Sequence, residues 1–526
     1  MDEADIVVIG AGSGGAAVAG RLAEDGRTTV AVIEAGGRNT GWRTTMPGAM
    51  PFQTTATNWQ YETVPQPGLN GRRGYQPRGR GLGGSSAINA MLYVRGNAWD
   101  YDQWAALGCD GWSYDDVLPY FRRAEHNVRG ADAWHGADGP LWVSDQAFAH
   151  AGSRAFVAAG ASLQMPVNAD FNGAAQDGVG LYQVTQKHGE RWTAARAYLT
   201  PRANLATITD ALVERVLFED GRAWGVAYTR GGETRTIRAR RGVVLAGGVF
   251  ATPQLLMLSG IGPGRHLAEN GIAVRIDRPA VGADLQDHID YVASFETATG
   301  GFMGRSLKGS LGGIGAMIRW AARRTGPMTT PFAEAGGFLR TVPDLPAPDV
   351  QFHFVIGMVE DHGRMQVKGH GYSCHVCVLR PESRGTVRLG DGDPRTAPLI
   401  DPAFLTDDRD MAVLVRGVRA MYRILEAPAL RAFAARDRYP IDLTDTPALE
   451  RLIRARADTV YHPVGTARMG SDAQAVCDPR LRVRGVDGLY VADASIMPRL
   501  VSGNTNAPTI MIGERCADFI RADLNA

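Results

Sequence analysis

The first residues that could do chemistry are three glycines near the start of the chain. Gly10, Gly12 and Gly15 have the spacing G-x-G-x-x-G and follow a short apolar run at residues 6–9. In this motif the first glycine makes a tight turn, the second admits a pyrophosphate, and the third lets a helix pack on a strand. Glu34 ends the next apolar stretch and can accept hydrogen bonds from a ribose. This order of elements predicts a dinucleotide site.

A second glycine-rich segment, "RGRGLGGSSAINAMLYVRGN", runs from Arg78 to Asn97. Glycine at this density weakens helices and strands, so we expect a ligand to approach bare backbone here. The apolar residues that follow favour a buried segment over a surface loop. The dinucleotide motif alone leaves NAD and FAD open. Regular βαβ units stop after Gly37 and a loop-rich stretch follows, which favours FAD over a one-domain nicotinamide enzyme.

Length and composition narrow the class of protein. The chain has 526 residues, which predicts two domains or one elaborated domain. With 44% hydrophobic and 21% charged residues it has the composition of a soluble globular protein, and a net charge of +1 argues against a nucleic-acid partner. Five cysteines do not indicate a disulfide framework. The acidic start "MDEAD" lacks the features of a signal peptide, so we expect a cytoplasmic protein.

Several further blocks carry a resemblance to a known family. They are "GGVFATPQLLMLSGIGP" (residues 247–263), "VGADLQDH" (281–288), "YHPVGTARMG" (461–470) and the final "GLYVADASIMPRLVSGNTNAPTIMIGERCADFI". Together with the two glycine segments, they make the chain resemble the glucose–methanol–choline (GMC) oxidoreductases, flavoproteins that oxidise alcohols. The similarity is strongest to the bacterial choline and aliphatic alcohol dehydrogenases, and it extends from residue 4 to residue 519.

The resemblance implies an α/β fold with two domains. A Rossmann-like FAD-binding domain with a parallel sheet would use residues 1–130, 200–290 and 460–526. A substrate-binding domain, built on an antiparallel sheet flanked by helices, would use residues 131–199 and 291–459. The alternating stretches "DVQFHFVIG" and "GYSCHVCVLRP" in the second insert are typical of sheet strands.

The resemblance also implies a set of residues at the cofactor. Gly83, Gly84 and Ser85 would lie along the flavin and its pyrophosphate, and the backbone of Val213 would hold the adenine. Some members carry a histidine that bonds covalently to the flavin; Ile88 stands at that position here, so we expect non-covalent FAD. The full set expected at the cofactor is Gly10, Gly12, Ser13, Gly14, Gly15, Glu34, Ala35, Gly83, Gly84, Ser85, Asn89, Leu92, Val213, Ala246, Asp493, Ala494 and Thr505.

The expected chemistry needs a base. Oxidation of an alcohol by hydride transfer to flavin N5 requires loss of the hydroxyl proton, and histidine is the usual base near neutral pH. Of the 11 histidines, His462 lies in the block that matches the family's catalytic histidine. The family's partner position holds Asn504, an amide that can orient the substrate oxygen. We therefore expect flavin reduction to titrate around neutrality with His462.

Other reactive residues are weaker candidates. Cys374 and Cys377 form a C-x-x-C pair, but no second pair completes a zinc site and an odd offset places them on opposite faces of a strand. We predict no metal site. His288 is expected to be structural. His353 and His375 alternate with apolar residues and could face either substrate or core.

The sequence thus predicts oxidation of a neutral primary alcohol to the aldehyde, with a quinone, a dye or oxygen as electron acceptor. The alternatives are an alcohol oxidase that acts on aryl or furan alcohols, and a non-redox lyase of the same fold. Residues 303–332 contain apolar residues with Arg319, Arg323 and Arg324, and we predict a basic amphipathic helix there. It would be a lid over the active site or, as the alternative, a peripheral contact with a membrane. The oligomeric state stays open.

Overall fold

A computed structural model describes residues 2–365 and 367–525 of the chain. It contains two large sheets with helices packed around them, which confirms the predicted α/β class. The helices are Ser13–Leu22, Trp42–Thr45, Ala98–Ala106, Tyr114–Ala124, Ala151–Ser162, Ala194–Tyr198, Gly248–Leu258, Gly264–Glu269, Leu307–Arg323, Asp408–Leu425, Pro428–Arg431, Thr446–Arg456 and Asn506–Asn525.

The first sheet has seven strands and begins with the dinucleotide motif. Its strands are Glu3–Ile9, Val30–Ile33, Leu205–Ile208, Ala211–Glu219, Arg222–Arg230, Glu233–Leu245 and Leu489–Val491. The first, second, third, sixth and seventh of these run parallel to one another. An antiparallel hairpin turns at Asp220-Gly221 as predicted, since Asp220 and Gly221 both have positive φ. The parallel strands place their carboxyl ends along one edge, where a nucleotide binds in such sheets.

The second sheet has eight strands and is antiparallel. Its strands are Gly178–Leu181, Ile289–Glu296, Gly304–Arg305, Ala333–Leu339, Val350–Val355, Gly369–Val378, Arg436–Asp437 and Asp458–Thr459. The two alternating stretches predicted as strands are the central pair Val350–Val355 and Gly369–Val378. One face of this sheet is covered by the helices Ala151–Ser162 and Asp408–Leu425.

Two large buried clusters of apolar side chains accompany the two sheets. They place some stretches differently from the division made by sequence. Leu141, Val143 and Ile400 pack in the cluster of the first sheet, whereas Leu69 packs in the cluster of the second. Leu141, Val143 and Ile400 come from the predicted substrate-binding segments and Leu69 from a predicted FAD-binding segment, so their packing crosses the division at residues 130, 200, 290 and 460, which stays a prediction.

Candidate active site

A cavity of about 2210 Å³ extends from the carboxyl edge of the first sheet to the second sheet. Its size exceeds the range of 300–1,000 Å³ that is typical of drug-sized ligands. It is therefore large enough for an extended dinucleotide together with a small substrate. Both glycine-rich segments, the strand Val350–Val355 and the block around His462 contribute to its wall.

The glycines of the first motif bring backbone into close contact. A Cβ on Gly10 would lie 2.3 Å from the carbonyl oxygen of Ala246, and one on Gly14 would lie 1.9 Å from that of Ala492. Gly10 also has a φ of 97°, in the left-handed region that favours glycine. The helix Ser13–Leu22 starts directly after this turn, so its free N–H groups face the cavity, where an anionic pyrophosphate is stabilised.

The structure brings most of the predicted cofactor residues to the cavity. Those that line it are Gly10, Gly12, Ser13, Gly14, Glu34, Ala35, Gly84, Ser85, Asn89, Leu92, Val213, Ala246, Asp493, Ala494 and Thr505. Two do not. Gly15 packs against Gly10 and Ala246 behind the turn, which is the helix-packing role of the third glycine. Gly83 has a φ of 95° and a Cβ there would meet Thr193, so it shapes the loop from outside the cavity.

Glu34 does more than the sequence predicts. Its carboxylate is buried and accepts hydrogen bonds from three backbone N–H groups, those of Ala11 (2.9 Å), Gly36 (3.0 Å) and Gly81 (2.9 Å). It therefore ties the second glycine segment to the first. A carboxylate can accept about four hydrogen bonds, so capacity is left for a ribose hydroxyl at the cavity wall.

Replacing Glu34 should weaken FAD binding. We expect Glu34→Ala to lose charge-assisted hydrogen bonds of about 1.5–3 kcal/mol, or about 10–150-fold in Kd, and to be purified partly as apoprotein. Glu34→Gln keeps one acceptor oxygen, so its affinity for FAD should lie between those of the wild type and Glu34→Ala. Flavin occupancy is read from the absorbance of the purified protein and Kd from titration of the apoprotein. Wild-type affinity in Glu34→Ala would contradict this role.

Asp493 and Asn89 line the cavity but also hold the chain in place. Asp493 accepts hydrogen bonds from the N–H of Gly248 at 2.9 Å and from the hydroxyl of Thr252 at 2.6 Å. It thereby caps the helix Gly248–Leu258. Asn89 accepts one hydrogen bond from the guanidinium of Arg191 at 2.8 Å. These contacts fix the turns whose backbone faces the expected flavin.

The backbone of His462 is held in place by Asp287. The Asp287 carboxylate accepts a hydrogen bond from the N–H of His462 at 2.9 Å, and others from Thr459 at 2.5 Å and Gln76 at 3.1 Å. His462 is buried, and its ring lines the cavity. The "LQDH" block therefore helps to place the histidine of a block that follows some 170 residues later.

His288, expected to be structural, touches the predicted base. Its Nε2 lies 3.1 Å from the carbonyl oxygen of Leu379, so Nε2 carries the hydrogen that is donated. The Nδ1 of a neutral His288 is then an acceptor, and it lies 3.0 Å from Nδ1 of His462. His462 must donate from Nδ1, which leaves the lone pair on Nε2. This chain of hydrogen bonds selects the tautomer that a base facing the cavity requires.

The electrostatics favour neutral imidazoles here. Burial lowers the pKa of His288 to about 3 and that of His353 to about 3. Burial, followed by repulsion from His288, His353 and Arg78, lowers the pKa of His462 well below its usual value. His462 is therefore deprotonated at neutral pH and ready to accept a proton. The titration of His462, which the sequence places around neutrality, is therefore expected at more acidic pH.

Asn504 completes the pair that the sequence predicts. Its Nδ2 lies 3.1 Å from Nε2 of His462, and its Oδ1 accepts a hydrogen bond from Gln351 at 3.2 Å. Gln351 thus sets the direction of the amide. Both side chains line the cavity. The amide therefore donates to the lone pair of Nε2, and a substrate hydroxyl that donates to His462 and accepts from Asn504 would take the place of this hydrogen bond.

The two remaining histidine candidates also face the cavity. His353 is buried, lines the cavity and has no hydrogen-bond partner for either ring nitrogen within the described residues. His375 lines it too, and its Nδ1 is 2.6 Å from a carboxylate oxygen of Asp290. Cys374 and Cys377 are buried and free, and burial raises the pKa of both thiols well above the usual value. Residues 2–365 and 367–525 hold no cluster of side chains suited to a metal ion.

Comparison with known proteins agrees with this site. The family model described as GMC oxidoreductase matches residues 4–290, and a second model of the same description matches residues 381–513. The chain is a GMC oxidoreductase. An alcohol dehydrogenase [acceptor] from Pseudomonas putida is 42% identical over 98% of this chain and 95% of its own length. An oxygen-dependent choline dehydrogenase from Rhizobium etli is 41% identical over the same shares of the two chains.

Solved structures place this GMC oxidoreductase in the same fold. Pyridoxine 4-oxidase from Mesorbium loti is 30% identical with a TM-score of 0.88, and 99% of each chain is covered. A formate oxidase is 27% identical with a TM-score of 0.92, over 100% of this chain and 99% of the other. The GMC oxidoreductase described here is an FAD-dependent enzyme that oxidises an alcohol. Its FAD is non-covalent, and Ile88 lines the cavity with an alkyl side chain that has no linking atom.

Proposed function

We propose that the enzyme oxidises a neutral primary alcohol to the aldehyde, with His462 as the base and Asn504 as the group that orients the hydroxyl. The observation that carries this assignment is the pair of contacts on His462, at 3.0 Å from His288 on one ring nitrogen and 3.1 Å from Asn504 on the other. When bound, FAD supplies the hydride acceptor for the carbinol carbon.

The protein's own residues have three tasks in this reaction. Nε2 of His462 accepts the hydroxyl proton, since the tautomer set by His288 leaves its lone pair on that atom. The Asn504 amide donates to the substrate oxygen and holds it as negative charge develops. Arg78 lines the cavity close to His462; its positive charge helps to lower the pKa of the imidazole and stabilises the negative charge that develops on the substrate oxygen.

The charges of the cavity favour a neutral substrate. Among the described residues, three carboxyl side chains line it: Glu34, Glu62 and Asp493. Glu34 and Asp493 accept hydrogen bonds from backbone N–H groups at the glycine turns, and Glu62 is paired with Arg364 at 3.2 Å. None of the three is left unpaired to balance the charge of a quaternary ammonium group, which favours a neutral substrate over a cationic one. His353, whose ring nitrogens have no hydrogen-bond partner among the described residues, offers a polar contact instead.

We propose a quinone or a dye as the electron acceptor and the cytoplasm as the compartment. The relatives are divided on the acceptor, because one is named for an unspecified acceptor and another for oxygen. All five cysteines are buried and free, which fits a thiol-reducing compartment. No helix of the described residues is both long and apolar enough to cross a membrane.

Anaerobic reduction tests the function. Neutral primary alcohols should bleach the oxidised flavin spectrum, and choline at equal concentration should do so more slowly. With the best alcohol and air alone, an oxygen electrode should record little oxygen uptake, whereas an artificial quinone added without oxygen should reoxidise the flavin and sustain turnover. A bound flavin that no alcohol in a broad panel reduces would favour the lyase alternative, and rapid oxygen uptake would favour an oxidase.

A further inference from the structure

The helix Leu307–Arg323, here called the rim helix, carries an unusual outer face. Leu307, Leu311, Ile314 and Ile318 are spaced at helical intervals of four, three and four, so they form one row. Their exposed fractions are 81%, 63%, 56% and 64%. Isolated exposed apolar residues are ordinary, but a row of four on one helix marks an interaction surface.

The opposite face of the rim helix holds it on the protein. Trp320 is buried in a small cluster with Met46, Ala49 and Met328, and its indole N–H donates to the carbonyl oxygen of Gly189 at 2.8 Å. The helix is therefore anchored by one side. The apolar row points away from that anchor, so the core does not bury it.

Positive charge lies to one side of the apolar row, since Arg319 follows Ile318 directly and is turned about 100° from it. Arg305, Arg319 and Arg323 are exposed, and no acidic residue occurs between Glu296 and Glu334 in the sequence. An apolar face beside a basic one is the arrangement of helices that lie in the interface of an anionic membrane. A partner surface for this helix must accept both alkyl groups and positive charge.

The rim helix also borders the active-site cavity. Gly309, Gly313 and Ala316 line it from the inner side of the helix. The same element thus covers part of the cavity and presents the apolar row outward. The lid and the membrane-surface helix considered from the sequence are two faces of one helix.

We propose that the outer face of the rim helix docks on the surface of an anionic phospholipid bilayer. The four alkyl side chains enter the acyl boundary while Arg319 and Arg323 contact lipid phosphates. Docking places the cavity wall formed by this helix next to the lipid. The proposal concerns binding alone and does not depend on which alcohol is oxidised.

Sedimentation with vesicles tests the docking. The holoenzyme should co-sediment with vesicles of phosphatidylcholine and phosphatidylglycerol in equal parts, and much less with phosphatidylcholine alone. Replacing the four apolar residues by serine (L307S, L311S, I314S and I318S together) should weaken binding about tenfold or more, because each alkyl group loses its burial. Arg319→Glu with Arg323→Glu should weaken it to a similar extent, and added salt should weaken the wild type.

Matched controls use exposed residues away from the rim helix. Val167→Ser with Val274→Ser removes exposed apolar groups, and Arg265→Glu reverses an exposed charge; both variants should bind vesicles like the wild type. Flavin content should be unchanged in every variant, because none of these side chains is buried. The proposal is overturned if the wild type does not bind anionic vesicles, or if the four-serine variant binds them equally well. A dimer in light scattering that the serine changes dissolve would assign the face to a second copy instead.

Discussion

His462→Ala is expected to slow flavin reduction by about 10²–10⁴-fold, the usual contribution of a general base. The flavin should stay bound, because the ring of His462 contacts His288 and Asn504 and its backbone is held by Asp287 through an N–H that alanine keeps. Anaerobic stopped-flow reduction with a neutral primary alcohol gives the rate. Near-normal reduction in this variant would place the base elsewhere, with His353 and His375 the next residues to replace.

The pH profile separates the two roles at the site. Since the pKa of His462 is lowered, its neutral form is present at and above pH 7, and the wild-type rate should be level there. The rate should fall only as the pH drops below the ordinary histidine value of about 6.5 and protonates the base. In His462→Ala the rate of flavin reduction should no longer fall at low pH in this way, and it should increase with the hydroxide concentration. Asn504→Ala should keep the fall in rate at low pH, but its flavin should be reduced more slowly and its substrate should bind more weakly. Loss of the low-pH fall in Asn504→Ala would refute the assignment of His462 as the base.

His288→Leu is expected to slow flavin reduction by about 10²-fold or more. Without the acceptor at Nδ1 of His288, the 3.0 Å hydrogen bond that keeps the proton on Nδ1 of His462 is lost. The imidazole can then present an N–H to the substrate hydroxyl, and a misplaced or wrongly protonated base is ineffective. His288 is a positioning residue in this scheme, since it acts through His462.

A conservative variant distinguishes positioning from packing. His288→Asn places an amide oxygen near the former Nδ1 and should recover part of the rate, whereas leucine, of similar size, should not. Stopped-flow rates, flavin content and thermal unfolding of the two variants are compared. Equal rates in the asparagine and leucine variants, at equal flavin content, would show that the hydrogen bond to His462 has no role in catalysis.

Local patterns were enough to predict the cofactor end of the site. The glycine spacing, the acid at Glu34 and the apolar strands are set by residues within one βαβ unit, and backbone sterics leave few ways to build that turn. The structure accordingly places Gly10, Gly12 and Glu34 at the cavity. The hairpin at Asp220-Gly221 and the strands of the second sheet follow from equally local signals.

Contacts between distant segments were not visible in the sequence. His288 and His462 are 174 residues apart, and only their packing across the end of the second sheet shows that one sets the tautomer of the other. The three backbone hydrogen bonds to Glu34 likewise join segments up to 47 residues apart. His288 and Glu34 each lie in a sequence block that resembles the family, so the sequence marks both residues. It does not show which distant residues they contact.

The sequence by itself determined the α/β class, the dinucleotide turn, the replacement of a flavin-linking histidine by Ile88, and the pair His462 and Asn504. The first two depend on residue type and short-range spacing, and the last two on the resemblance to the GMC family. Tertiary structure alone decided the protonation state of His462 and the exposure of the row on the rim helix. Both depend on what surrounds a side chain: burial beside other imidazoles lowers the pKa of His462, and anchoring through Trp320 turns Leu311 and Ile314 outward. Solvent access is a property of the folded chain, and no local pattern specifies it.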